Sequence, residues 1–330
     1  MTAEARPVVP EPRWGGRSLT AARAAAVLIA LIAAVTVAYA TQGQPVVVTQ
    51  AVITGILTGG VYGLVAMGLT LIFGVLDIVN FAHGAFLALA MFVTFGLVAA
   101  LGVHPYAALA VSVPLLFALG WVLQYGLLNR AMGGPLQNQL LITLGISLLI
   151  ENALLLFLGA NPRSAPLPGD RALPVLGAVA DTSRVLAFAA ALALAGALWL
   201  ILTRTRVGTA IRAVAADPRG AEHVGVDVRR IYALTFALGT ACAGAAGTLV
   251  APFATIEPTT GQLFTIVAFV VVVLGGMGNV PGALAGGLVI GLTEQLGGVF
   301  LPGQSPMLPV FVVFVLALFL RPQGLFGGNG

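Results

Sequence analysis

The chain has no lysine and only one cysteine, Cys242. Without lysine it cannot carry a G-x-x-x-x-G-K-[ST] phosphate loop. One cysteine excludes an intrachain disulfide and a cysteine-built metal cluster. The histidines, His83, His104 and His223, lie far apart in sequence and none is near the cysteine, so no metal site is expected. Ser112 and Ser147 stand alone in apolar runs, which gives a nucleophile–base pair no support. Charge is scarce too, at 8% of 330 residues, against about 25% in soluble globules. Hydrophobic residues make up 59% and the mean hydropathy is +1.05. No ordinary water-soluble fold hides so much apolar surface, so the expected class is an all-α polytopic membrane protein. The net charge of +4 rests on arginines in loops between apolar runs and does not argue for nucleic acid.

Ten apolar segments are expected, near 24–41, 51–73, 84–101, 106–128, 137–159, 185–203, 231–254, 263–276, 282–300 and 307–320. Most approach the roughly 20 residues needed to cross a ~30 Å hydrocarbon core. The eighth and tenth are short, and the eighth reads as broken or re-entrant. Alanine and leucine run continuously rather than alternating, which disfavours strands. The first segment reads as a cleaved leader or a retained first span, and its long basic approach favours the span. Arginines gather in 1–23, at Arg130, in 204–230 and at Arg321. Ten crossings put all four sites on one side, and the positive-inside rule makes it cytoplasmic, with both termini. The proline-containing stretch 161–184 then forms an ordered external loop. The organisation is thus a cytoplasmic tail over 1–23, one membrane domain over 24–320 and a short cytoplasmic tail over 321–330.

Polar residues interrupt the apolar sequence IFGVLDIVNFAHGAF at 72–86. Asp77, Asn80 and His83 are costly in lipid unless something answers them. They mark a helix break, with Asn80 capping a helix that starts near His83 and Gly84 permitting close approach. The break serves as internal scaffolding, as cargo contact or as a gate. A weak echo, GGMGNVPGAL at 275–284, again sets an asparagine, Asn279, before a glycine, Gly282, with Gly278 preceding it. Duplicated membrane halves commonly carry discontinuous helices at matching positions, and chance similarity is the competing reading.

Glycines at 55, 59 and 63, at 278, 282 and 286, and at 287 and 291 each line one helical face. Such faces let helices approach closely; they serve packing, or sliding and pore lining. Glu151, Asn152 and Glu294 are read as buried polar groups that face the bundle or a water-filled cavity. A proton relay is the alternative for the acids, weakened by the lack of a basic partner in any span. In 204–230, turns of helix over 210–216 present Arg212 outward. Asp217-Pro218 stops them. A second short helix from Arg219 to about Val224 ends at Gly225. This knob suits docking to another protein; an interfacial linker held by anionic lipid is the other reading.

The chain resembles the membrane permease subunits of bacterial ATP-binding-cassette importers for branched-chain amino acids, in particular the first of the two related permeases. The matching stretches are GLTLIFGVLDIVNFAHGAF (68–86), LLITLGISLLIEN (140–152), TRVGTAIRAVAADPRGAEHVGVDVRRIYALTFALG (205–239), FVVVVLGGMGNVPGALAGGLVIG (269–291) and LRPQGLFG (320–327). The resemblance implies an inner-membrane location, a second related permease, two cytoplasmic ATPase subunits that bind the ATP, and a periplasmic or lipid-anchored solute-binding protein. It implies no cofactor and no enzymatic activity in this chain. It places Arg212, Ala216, Asp217, Glu222 and Gly225 in the ATPase-coupling knob. Asp77 stands where the family pattern has a small residue. Alternating access for leucine, isoleucine and valine is the function implied. Related systems carry urea, short amides or other small polar solutes. A stand-alone secondary carrier or channel, or a purely structural membrane protein, is the competing class.

Overall fold

Proline suits the first position of a helix, where its missing N–H costs nothing, and the chain from Pro45 to Leu76 has no other proline and no charge, so it runs as one helix, α1 (Pro45–Leu76). The structure, a computed structural model, describes residues 45–320 apart from Gly133, Pro302 and Gln304, together with Gly324 and Leu325. The expected first span at 24–41 and the tail at 1–23 lie outside these residues, as does most of the tail at 321–330. The other helices are α2 (His83–Leu101), α3 (Pro105–Ala131), α4 (Leu136–Leu158), α5 (Thr182–Arg204), α6 (Arg206–Ala216) and α7 (Pro218–His223). They continue with α8 (Val228–Val250), α9 (Thr260–Gly275), α10 (Val280–Phe300) and α11 (Met307–Leu320). Seven of them are long and apolar enough to cross a membrane, while α9 and α11 are shorter apolar helices. The protein is an all-α polytopic membrane protein, and all nine expected segments that fall among the described residues are helical.

α1 and α8 form the buried centre, and α3, α4 and α5 pack only narrow faces onto it. The most extensive pairing is α1 against α10. Their glycines meet in antiparallel register: a Cβ at Gly55 would lie 2.9 Å from the Gly291 carbonyl oxygen, and one at Gly59 2.8 Å from that of Gly287. No hydrophobic force joins helices in lipid, so such backbone contact supplies the attraction by dispersion. The other glycine face of α10, Gly282 and Gly286, turns to α9. α8 adds a hydroxyl ladder: Thr248 lies 2.6 Å from Ser112 of α3 and 3.1 Å from Thr94 of α2, and Thr240 donates to the Leu116 carbonyl at 3.0 Å.

Strands are expected nowhere, yet the 161–184 loop holds an antiparallel pair, β1 (Ala172–Val175) and β2 (Ala178–Asp181). Leu176 and Gly177, at φ 51° and 80°, make the two-residue turn whose twist suits a hairpin. Gln50 of α1 bonds both backbone groups of Val179, at 2.7 and 2.8 Å, and ties the hairpin to the bundle. This hairpin end and the arginine end, where Asn129 bonds the Arg229 carbonyl at 3.2 Å and α6–α7 project, are the two ends of the molecule.

Candidate functional site

The helical ladder of α1 stops at Leu76 because Asp77 takes a left-handed conformation, φ 55°. Glycine, asparagine and aspartate adopt it most readily, which accounts for an aspartate where a small residue was expected. Residues 77–82 then run back along the bundle. His83 is fully buried, and its Nε2 donates to the Val65 carbonyl at 2.9 Å. Val65 lies about 16 Å along α1 from Leu76, at 1.5 Å per residue. α2 therefore starts deep inside the bundle rather than at its end.

The freed backbone groups of the break are answered by protein, as a membrane interior demands. The Asn80 side chain accepts from Ala82 N–H at 3.1 Å, ahead of the helix, so it closes a turn within the break; the expected cap on α2 does not form, because Ala82 stands at the N-cap position and has no side-chain oxygen. Thr143 of α4 donates to the Val79 carbonyl at 3.3 Å and accepts from Phe81 N–H at 3.4 Å. Asn80 Nδ2 and His83 Nδ1 are buried without a hydrogen-bond partner. Gly84 N–H donates to Thr265 of α9 at 3.0 Å. A Cβ at Gly84 would overlap the Gly261 carbonyl, so α2 and α9 cross where both begin. The sequence singled out Gly84 but not Gly261 or Thr265, whose pairing spans most of the chain.

The second interruption differs in having a true asparagine cap. Gly276 and Gly278 have φ 90° and 80°, and Asn279 caps α10 by accepting from Gly282 N–H at 3.0 Å. The two echoing segments touch: a Cβ at Gly74 would lie 2.9 Å from the Cα of Gly278. His83, however, sits at the height of Val65, well away from that contact, so the residues of the two interruptions are not gathered at one point.

The three polar residues read as buried have different surroundings. Glu294 has one carboxylate oxygen enclosed without a hydrogen-bond partner, beside Tyr62. Glu151 is half-buried, with Gln262 Nε2 at 3.0 and 2.9 Å from its two oxygens. Asn152 is exposed, which corrects its expected burial. α4 buries one stripe, Gln139, Thr143, Ile146, Ile150 and Leu154, and Asn152 falls on the opposite face, bonding the Leu148 carbonyl at 2.8 Å.

At the arginine end, α6 is longer than expected because Thr205 caps it by accepting from Gly208 N–H at 3.0 Å. Arg212 does not point outward; its guanidinium folds back onto the Leu202 carbonyl and to Thr209. The last carbonyls of α5 lack helical partners, and a cationic donor there satisfies one of them. Asp217 caps α7, accepting from Arg219 N–H at 3.0 Å, and Gly225 turns the chain at φ 86°. Ala216, Asp217, Glu222 and Gly225 are all exposed on this knob.

A family model described as branched-chain amino acid transport system / permease component matches residues 51–320. The chain is 31% identical over 293 residues to the high-affinity branched-chain amino acid transport system permease protein BraD of Pseudomonas aeruginosa, covering 84% of this chain and 95% of that protein. It is 29% identical over 306 residues to the corresponding permease protein LivH of Escherichia coli, with the same shares. The probable branched-chain amino acid transport permease protein LivH of Methanocaldococcus jannaschii is 30% identical over 286 residues, 80% of this chain and 88% of that one. No solved structure matches the chain. With both helix breaks and the exposed knob inside the matched region, the chain belongs to the family of branched-chain amino acid transport permease components.

Proposed function

We propose that the chain is the permease subunit of an ATP-binding-cassette importer in a bacterial inner membrane, moving leucine, isoleucine and valine inward by alternating access. The observation that carries this reading is the family match across almost the whole membrane domain, together with relatives named for branched-chain amino acid transport. In this reading the chain is not itself an enzyme. Two ATPase subunits bind and split ATP beneath it, docking on the exposed surface of α6 and α7. A second related permease closes the path from the other side. A solute-binding protein delivers cargo at the hairpin end, and both termini are cytoplasmic. The break at Asp77, Asn80, His83 and Gly84 and the turn at Gly278, Asn279 and Gly282 are the points about which the path changes shape. Discontinuous helices in transporters cluster at such points.

The test is reconstitution of the full assembly in proteoliposomes. Leucine uptake that requires ATP and the binding protein is the expected outcome. Concentrative uptake by the chain alone under a proton or sodium gradient overturns the importer reading. Calorimetry on the binding protein checks the cargo separately: tight binding of urea with none of leucine, isoleucine or valine overturns that part.

A further inference from the structure

Glu151 is a carboxylate on a helix face that the described chain leaves partly open. α4 has 23 residues, about 34 Å, and Glu151 lies about 10 Å short of the end at Leu158. That depth is inside a ~30 Å hydrocarbon core. Gln262 braces the carboxylate but is neutral. Among the described residues the ion pairs are Arg184–Asp181 and Arg230–Asp227, and neither involves it. The apolar segment 24–41 has no charged residue to offer. Lipid cannot answer an ionisable group at this depth, so it faces protein or a water-filled space.

The surroundings point to water and cargo. Gln262 is exposed beside it, and Thr255 and Thr259 continue the polar surface toward the hairpin end, with the exposed Leu148, Leu155 and Leu263 around it. Toward the arginine end the face turns apolar at Ile266 and at Phe81, whose ring lies 5.5 Å from that of Phe269. Beyond the break the exposed Asp77 follows. A polar station and an aromatic step thus follow one another between α4 and α9, with an exposed carboxylate at the arginine end.

We infer that Glu151, held in place by Gln262, lines the translocation path between α4 and α9 and receives the ammonium group of the cargo. The inference rests on the proposed function and adds the contact that reads the cargo's charge. A carboxylate accepts at about four lone-pair sites, and one amide nitrogen occupies two of them. A primary ammonium brings three donors to the sites left open, and charge-assisted bonds of that kind are the strong ones. Phe81 then forms the apolar step that the aliphatic side chain of the cargo crosses.

The test uses the full assembly with its partner permease, ATPases and binding protein. Glu151→Gln keeps the size and the bond to Gln262 but removes the charge; leucine uptake is expected to fall tenfold or more. Glu151→Asp is expected to stay within threefold of the unsubstituted complex. In a Cys242→Ala background, Thr259→Cys, one turn before Gln262 and exposed, is expected to react with a charged membrane-impermeant thiol reagent, at a rate that saturating leucine and binding protein lower at least threefold. Uptake by Glu151→Gln within twofold of unsubstituted overturns the inference. So does a Thr259→Cys that is never labelled in an active transporter, or one whose labelling ignores leucine. If Glu151→Gln does not assemble, the aspartate variant and the labelling decide. An unsubstituted complex that imports urea and no amino acid overturns the cargo reading and the ammonium contact together, whereas leucine uptake indifferent to Glu151 overturns the contact alone.

Discussion

His83 shows what a polar residue costs and supplies inside a bundle. It is fully enclosed, gives one N–H to Val65 on another helix, and thereby fixes the height at which α2 starts. An amide reaches as far as the imidazole Nε2, so His83→Gln is expected to retain most leucine uptake, and His83→Leu to lose most of it because the Val65 carbonyl stays unpaired. Equal uptake by both variants would show that this bond does not position the break. Asn80→Leu removes the acceptor for Ala82 N–H. An unmet buried donor costs about 1–3 kcal/mol, read as a lower thermal midpoint of the purified protein; an unchanged midpoint would show that another group takes the donor. The break itself was legible, since polar residues in an apolar run announce one; the cap was not, because Asn80 lies too far ahead of α2 and bonds Ala82 N–H within the turn instead. Gly261 and Thr265 were not, because their role depends on meeting Gly84 across a long stretch of chain. Arg212 was misread for a similar reason, since its partner carbonyl at Leu202 belongs to the preceding helix.

Elements were easier to read than their surroundings. Continuous apolar runs mark helices whatever they touch, so their positions follow from the sequence. Which face is covered does not, since lipid and protein select the same side chains; Asn152 was placed inside for that reason. The hairpin was missed because two strands of four residues carry little periodicity. The glycine faces were visible, and their partners were not. Gly59→Leu is expected to abolish monodisperse folded protein, because the obstacles are the Gly287 carbonyl and the Leu288 Cα, backbone atoms that cannot rotate aside. Gly96→Leu, with open space around it, is the control expected to fold. Size-exclusion profiles of the two variants decide this, and equal profiles would show that α1 and α10 can part without loss. The α6–α7 knob offers a second test. Asp217→Asn keeps the cap on Arg219 N–H and loses the charge, while Asp217→Ala loses both. Capping is worth about 1 kcal/mol. ATPase stimulation by loaded binding protein is therefore expected to survive in the asparagine variant and weaken in the alanine variant; loss in both would assign the effect to charge at the ATPase contact.

For the whole molecule, the arginines are a statement about direction. Six of the fifteen lie in 204–230, and Arg130 is held at the same end through its neighbour Asn129. Loops that retain arginine near span ends stay on the cytoplasmic side, since moving them across the membrane opposes both the potential and their hydration. The stretch 161–184 carries three arginines, Arg163, Arg171 and Arg184, and weakens the contrast on count alone. Two of them are engaged: Arg163 bonds the Leu158 carbonyl and lies over the Phe95 ring, 4.9 Å from its centroid, and Arg184 pairs with Asp181 at 3.2 Å. Folded into the end of the bundle, they behave as parts of a built surface rather than as a topological signal. The two ends also offer clean reporters. Leu176 at the hairpin turn is 88% exposed and Val224 beyond α7 is 80% exposed. With Cys242, the only thiol, replaced by alanine, Leu176→Cys is expected to react with an impermeant thiol reagent added to intact spheroplasts. Val224→Cys is expected to react only once the membrane is opened or in inside-out vesicles. The reverse pattern would invert the molecule and overturn the proposed docking of cytoplasmic ATPases on the α6–α7 knob. Labelling of both cysteines from one side would break the antiparallel path of α5, which joins the hairpin to the knob in a single 23-residue crossing.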